Sequence, residues 1–214
     1  MKRRIVLLGP PASGKGSQAQ MVSQKYQIPA VSTGHLLRDE ALANSELGKQ
    51  AASYTSKGQL APDQLVMAVL KKWLGSGRNS YIFDGFPRTL AQALQLKPLL
   101  DSAQIPLDIV LFLECDFATI ESRVLGRVSC FDCKKVFRVG LHVESAESPC
   151  PECGGRLIRR ADDQPAVLQH RMVQYFDKTA PLVDYYRAEG ILNVIDGSQA
   201  LDNVFVQIEE ALRR

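Results

Sequence analysis

Short, unbroken apolar runs recur along this chain, and polar stretches with helical spacing separate them. Ile5-Val6-Leu7-Leu8, Ser80-Tyr81-Ile82-Phe83, Asp108-Ile109-Val110-Leu111-Phe112-Leu113 and Leu192-Asn193-Val194-Ile195 have the length and β-branched content of strands buried on both faces. Between them the spacing predicts helices over 14–24, 63–74, 90–102, 117–125, 167–187 and 203–212. Strands alternating with helices imply an α/β fold: an open parallel sheet flanked by helices on both faces. Two segments break the rhythm. Residues 33–60 are polar and mostly helical, with no strand to pair, and 128–160 are rich in Cys, Gly and Pro without a helical period. Both read as excursions, leaving a core of 1–31, 62–126 and 165–214 with insertions at 32–61 and 127–164.

Composition narrows the classes. At 214 residues, 45% hydrophobic and 23% charged, the chain can bury one sizeable core plus a small inserted module. A net charge of +3 is too small to argue for nucleic acid or an anionic membrane as partner. No apolar run approaches the ~20 residues that span a bilayer. The apolar stretch after Met1-Lys2-Arg3-Arg4 stops at Gly9-Pro10-Pro11, short of a secretory signal. A cytoplasmic protein is expected.

Gly9-Pro10-Pro11-Ala12-Ser13-Gly14-Lys15-Gly16-Ser17 follows a predicted strand and opens a predicted helix. Backbone N–H groups and the helix N-terminus converge there on an anion, and a lysine adds a point charge. Lys15 is placed on a transferring phosphate, and the Ser17 hydroxyl near Mg²⁺. Asp84-Gly85-Phe86-Pro87-Arg88 follows another buried strand, at the carboxyl edge where ligands of open α/β sheets bind. Asp84 can hold Mg²⁺ through water while Arg88 forks onto an acceptor phosphate.

Four of the five cysteines form two Cys-x-x-Cys pairs, Cys130/Cys133 and Cys150/Cys153, sixteen residues apart. In a reducing compartment this spacing matches a structural zinc ribbon with four thiolates, iron being the alternative metal. Four protein ligands leave no open position, so the metal is read as structural. Cys115 is read as a buried, inert thiol. His35, His142 and His170 receive no role. Arg123 and Arg127, four apart, are expected on one helical face.

The phosphate loop, with Gly-Lys-Gly-Ser followed by Gln18-Ala19, resembles that of the adenylate kinase family. Ala12 stands at a usual glycine and Ser17 at a usual threonine; a positive φ at Ala12 would cost about 1 kcal/mol. Asp84-Gly85-Phe86-Pro87-Arg88 is close to a signature of that family, and the resemblance runs the length of the chain in the family's order. It implies a P-loop kinase carrying out Mg·ATP + AMP ⇌ 2 ADP, with 32–61 as the monophosphate-binding segment and 127–164 as the long, zinc-binding lid of bacterial members. It implies AMP contacts from Thr33, Arg38, Gln59, Leu60, Ala61, Gly85, Phe86, Arg88 and the base-reading Gln92. ATP contacts are implied for residues 9–17, Arg123, Arg127, Val136, Phe137 and Gln199, and contacts to the shared phosphates for Arg160 and Arg171. Asp162 and Asp163 are expected to pair with lid arginines on closure. Lys15, Arg88, Arg123, Arg160 and Arg171 make up the catalytic set, and the family's expected state is a monomer.

Two rivals remain at this point. One is a kinase for another monophosphate, UMP, CMP or GMP; UMP/CMP kinases of similar sequence usually have short lids without zinc, so the long Cys₄ lid argues against those. The other is a P-loop ATPase whose ribbon grips nucleic acid. It would want basic residues interleaved with aromatics, whereas Lys134, Lys135, Phe137 and Arg138 are offset by Glu144, Glu147 and Glu152.

Overall fold

The computed structural model describes residues 1–43, 45–55, 61–75, 77–133, 135–159 and 163–214; for 34, 35, 38 and 51–55 it describes the backbone alone. Strands β1 (Arg4–Leu8), β2 (Ala30–Ser32), β3 (Tyr81–Asp84), β4 (Ile109–Glu114) and β8 (Leu192–Asp196) form a parallel sheet in the order β2-β3-β1-β4-β8. Each apolar run becomes a strand because both of its faces find cover. Ile5, Leu7, Ile109, Leu111 and Leu113 pack with α1 (Lys15–Tyr26) and α9 (Leu201–Arg213) on one side. Val6, Leu8, Phe83 and Val110 turn to the other side, where α4 (Asp63–Leu74), α5 (Leu90–Ser102) and α8 (Pro181–Ala188) lie. Successive side chains on a strand face opposite ways, so one uninterrupted apolar run feeds both layers.

The register fixes where the loops meet. Leu7 and Ser32 both stand opposite Asp84, and Glu114 stands opposite Asp196. The segments after β1, β2, β3, β4 and β8 therefore leave from one edge of the sheet.

The first excursion is α2 (Thr33–Leu42) and α3 (Glu46–Thr55). Glu40 joins it to the core, accepting from Lys72 Nζ at 2.7 Å and Ser45 Oγ at 2.5 Å. The second follows α6 (Phe117–Leu125) and is a three-stranded antiparallel sheet, β6-β5-β7, built from β5 (Arg127–Cys130), β6 (Val136–Arg138) and β7 (Leu157–Ile158). Helix α7 (Pro165–Gln174) leads back to the core.

Three details depart from the sequence reading. Strand β2 was not expected, because three residues are too few to set up a period. The helix expected over 167–187 is two helices joined by a π-helical turn at Tyr175–Thr179. Pro181, lacking an N–H, cannot continue an α-helical ladder, and Ala180 N–H bonds to Tyr175 O at 2.8 Å. Finally, Arg123 and Arg127 do not share a helical face. Gly126 caps α6, and Arg127 already belongs to β5.

Candidate functional site

The phosphate loop bridges β1 and α1 in a tight arc whose first residue can only be glycine. A Cβ on Gly9, at φ +145°, would lie 2.6 Å from Leu113 O and 2.8 Å from Ser13 Oγ. Ala12 has φ +59°, the left-handed conformation anticipated above. Within the arc Lys15 Nζ donates to Gly9 O at 2.8 Å and Pro10 O at 2.6 Å. Burial lowers the Lys15 ammonium to about 8; Asp84 opposes that shift, while Arg88 and Arg171 reinforce it.

Those electrostatic partners bring the acceptor turn to the phosphate loop. Asp84 ends the strand beside β1, and a Cβ on Gly16 would lie 3.4 Å from Asp84 Oδ2. Ser17 is the next residue. A carboxylate and a hydroxyl at this edge are the hard oxygen donors that suit Mg²⁺. Arg88 follows in the same turn; the residue keeps solvent exposure, but its guanidinium is set among surrounding protein. Burial lowers its guanidinium, Asp84 partly restores it, and Arg171 of α7 adds to the lowering. Its Nε donates to Gly85 O at 2.8 Å, and Thr179 Oγ1 donates to Arg88 O at 2.8 Å. Lys15, Asp84, Arg88 and Arg171 thus share one electrostatic neighbourhood.

The other implied acceptor residues divide. Thr33 opens α2 directly after Ser32, one strand from Asp84. Gln92 is buried, taking the Arg88 N–H on Oε1 at 2.7 Å and donating from Nε2 to Asp63 Oδ1 at 2.6 Å. Phe86 is 1% exposed and meets Phe83 edge-on at 6.2 Å, so its side chain belongs to the core. Ala61 packs against that same core. Gln59, Leu60, Arg160 and Asp162, and the side chain of Arg38, lie outside the described residues.

On the donor side Arg123 binds the phosphate loop to the loop after β8. Nη1 donates to Ser13 O at 3.4 Å, and Nη2 donates to Ser198 O at 3.3 Å and Gln199 O at 3.1 Å. Cys115 sits among these groups, half-buried rather than fully buried as expected, 3.8 Å from Ser198 Oγ. Burial pushes its thiol up, which suits the unreactive role given to it. Arg127 is paired with Asp163, its Nε donating to Oδ2 at 2.8 Å in a well-shielded ion pair.

In the lid, Val136 is exposed and Phe137 packs on the lid's own small core. The Sγ atoms of Cys130, Cys133, Cys150 and Cys153 all lie within 4.8 Å of one another, with Cys130–Cys153 at 3.5 Å and Cys133–Cys150 at 3.6 Å. A tetrahedron with metal–sulfur arms of about 2.3 Å has edges of ~3.8 Å. The cluster fits such an ion. Arg138 Nη2 to Ser122 Oγ and Arg159 Nη1 to Leu125 O, both at 2.7 Å, tie the lid to α6.

Sequence reasoning missed Asp63, Thr179, Arg138, Arg159 and Ser198 as partners of these groups. Asp63 and Gln92 are 29 positions apart, and no local spacing links them.

Comparison with known proteins points to one family. The adenylate kinase family model matches residues 7–191. Over 211 residues the chain is 41% identical to an adenylate kinase of Clostridioides difficile, covering 98% of each chain. It is 40% identical over 213 residues to one of Moorella thermoacetica (99% of this chain, 98% of the relative). It is 39% identical over 207 residues to one of Thermodesulfovibrio yellowstonii, 96% of each.

Proposed function

The chain belongs to the adenylate kinase family, and on that premise we propose that it catalyses ATP + AMP ⇌ 2 ADP by direct phosphoryl transfer. One observation carries the reading: the start of α1 and the Asp84 turn abut, with 3.4 Å between a Cβ on Gly16 and Asp84 Oδ2. Donor and acceptor phosphates held by these two segments meet without an intervening enzyme group.

Transfer of this kind is governed by positioning and charge rather than by proton removal. Lys15, carried on the phosphate loop, neutralises the migrating group. Arg88 and Arg171 approach from the acceptor side, Arg123 holds the donor chain against the loop at Ser198–Gln199, and Arg160 is assigned to the shared phosphates on the family resemblance alone. Ser17 and Asp84 are the residues that would hold Mg²⁺ with ATP, and the ion would supply neutralisation of phosphate charge. Thr33, Arg38, Gln59–Ala61, Gly85, Phe86 and Gln92 form the AMP side. Arg127, Val136 and Phe137 cover ATP. Two insertions, 32–61 and 127–164, close over the nucleotides and exclude the water that would hydrolyse ATP.

The four lid thiolates, of Cys130, Cys133, Cys150 and Cys153, would hold a structural zinc. No helix among the described residues is long and apolar enough to cross a membrane. The proposed setting is a cytoplasmic monomer acting on free nucleotides rather than on nucleic acid. A coupled assay across AMP, GMP, CMP and UMP tests the assignment. The expected result is the highest kcat/KM for AMP; a higher value for any of the others overturns it.

A further inference from the structure

A primary amide can read a purine in two ways. Its oxygen accepts and its nitrogen donates, and a half-turn about the last side-chain bond exchanges them. One orientation suits adenine, which offers a 6-amino donor and an N1 acceptor. The other suits hypoxanthine, with a 6-oxo acceptor and an N1–H donor. A glutamine that is free to turn does not choose between these bases.

The surroundings of Gln92 choose. The Arg88 backbone N–H can only donate, and it meets Oε1 at 2.7 Å. The Asp63 carboxylate can only accept, and its Oδ1 meets Nε2 at 2.6 Å. A half-turn would set N–H against N–H at Arg88 and oxygen against oxygen at Asp63. Gln92 is 7% exposed, so water does not replace the lost bonds. Both partners are themselves held. Arg88 O receives the Thr179 hydroxyl, Thr89 caps α5 by accepting from Gln92 N–H, and Asp63 is the first residue of α4. Among the described residues these two bonds leave the amide one oxygen lone pair and one N–H, the complement of a 6-aminopurine edge.

We infer that Asp63 is a positioning residue that makes the acceptor site selective for 6-amino over 6-oxo purines, by preventing the Gln92 amide from turning over. The inference rests on the proposed function, in which Gln92 reads the acceptor base.

The test compares kcat/KM for AMP and IMP, with ATP as donor, in the wild-type protein, Asp63→Asn and Asp63→Glu. IMP differs from AMP only at position 6 and the N1 proton, so it isolates the amide's orientation. An asparagine can donate as well as accept, so Asp63→Asn lowers the AMP-to-IMP ratio about tenfold or more. Asp63→Glu retains the carboxylate and keeps most of the preference. A merely structural role at the start of α4 would depress both substrates alike and leave the ratio in place, which overturns the inference. Should Asp63→Asn not fold, Asp63→Ser reads the same ratio. A wild-type protein inactive on AMP would refute the proposed function itself. One active on AMP whose ratio is unmoved in every variant refutes the lock alone.

Discussion

The parallel sheet and the lid solve the same problem with different chemistry. Around the phosphate loop, strands such as Ile5–Leu8 and Ile109–Leu111 are fully buried on both faces, each side chain contributing about 1.5–3 kcal/mol. That sum holds Gly9, Lys15 and Asp84 in register without any cross-link. Among the described residues the lid's buried core is Val128, Cys130, Cys150 and Leu157, with Phe137, Val139, Val143 and Ala146 packed against it, and two of the four buried residues are ligand candidates. A module that small cannot offset its own chain entropy by burial, and the four thiolates that converge on one point are where the proposed metal would take the place of a core.

Removing the proposed metal is therefore the harshest way to break the comparison. A chelator strong enough to strip the lid should unfold it locally, since such sites contribute roughly 10 kcal/mol of folding energy. The sheet should keep its own melting transition. Limited proteolysis alongside calorimetry reads both; simultaneous loss of the two would show that the lid does not fold as a separate unit.

Lys15→Met is the converse, a change of chemistry without a change of fold. Turnover should drop about 10³-fold, roughly 4 kcal/mol of barrier, with a melting temperature no lower than the wild-type value, because the buried ammonium is itself destabilising near neutral pH. Leu111→Ala, at the centre of the sheet, should cost about 3 kcal/mol of stability, visible in denaturant titration as a lower midpoint with an unchanged slope.

The mildest test is pH. The Lys15 pKa is depressed to about 8 in the folded chain, against an unfolded value near 10.4. Between these values the unfolded state binds more protons, so stability rises with pH from about 8 to about 10.4 and Lys15→Met should abolish that rise. The free enzyme meanwhile loses its cationic lysine above pH 8, so kcat/KM should fall about tenfold per pH unit beyond it.

Much of this was legible from local pattern because the chemistry sits where strand gives way to loop. The apolar runs marked the strands, the Gly-Lys-Gly-Ser segment marked the turn from β1 into α1, and two Cys-x-x-Cys knuckles marked a four-sulfur cluster. What escaped lies in tertiary contacts. Strand β2 is too short to carry a period. A proline at 181 broke a helix whose spacing otherwise ran on, and Gly126 separated Arg123 from Arg127 despite their helical interval. The partners Asp63 and Thr179 escaped for a similar reason: each meets its target across another element, and such pairings follow from the fold rather than from spacing.

The left-handed backbone at Ala12 has a consequence for sequence variation. A residue there is tolerated according to the branching at its Cβ rather than its polarity or size. Glycine, asparagine and aspartate can occupy the position, whereas valine, isoleucine and threonine would distort the arc. A saturation library at this one codon should therefore separate by steric class, and the surviving variants would report how stiffly the rest of the loop dictates its shape.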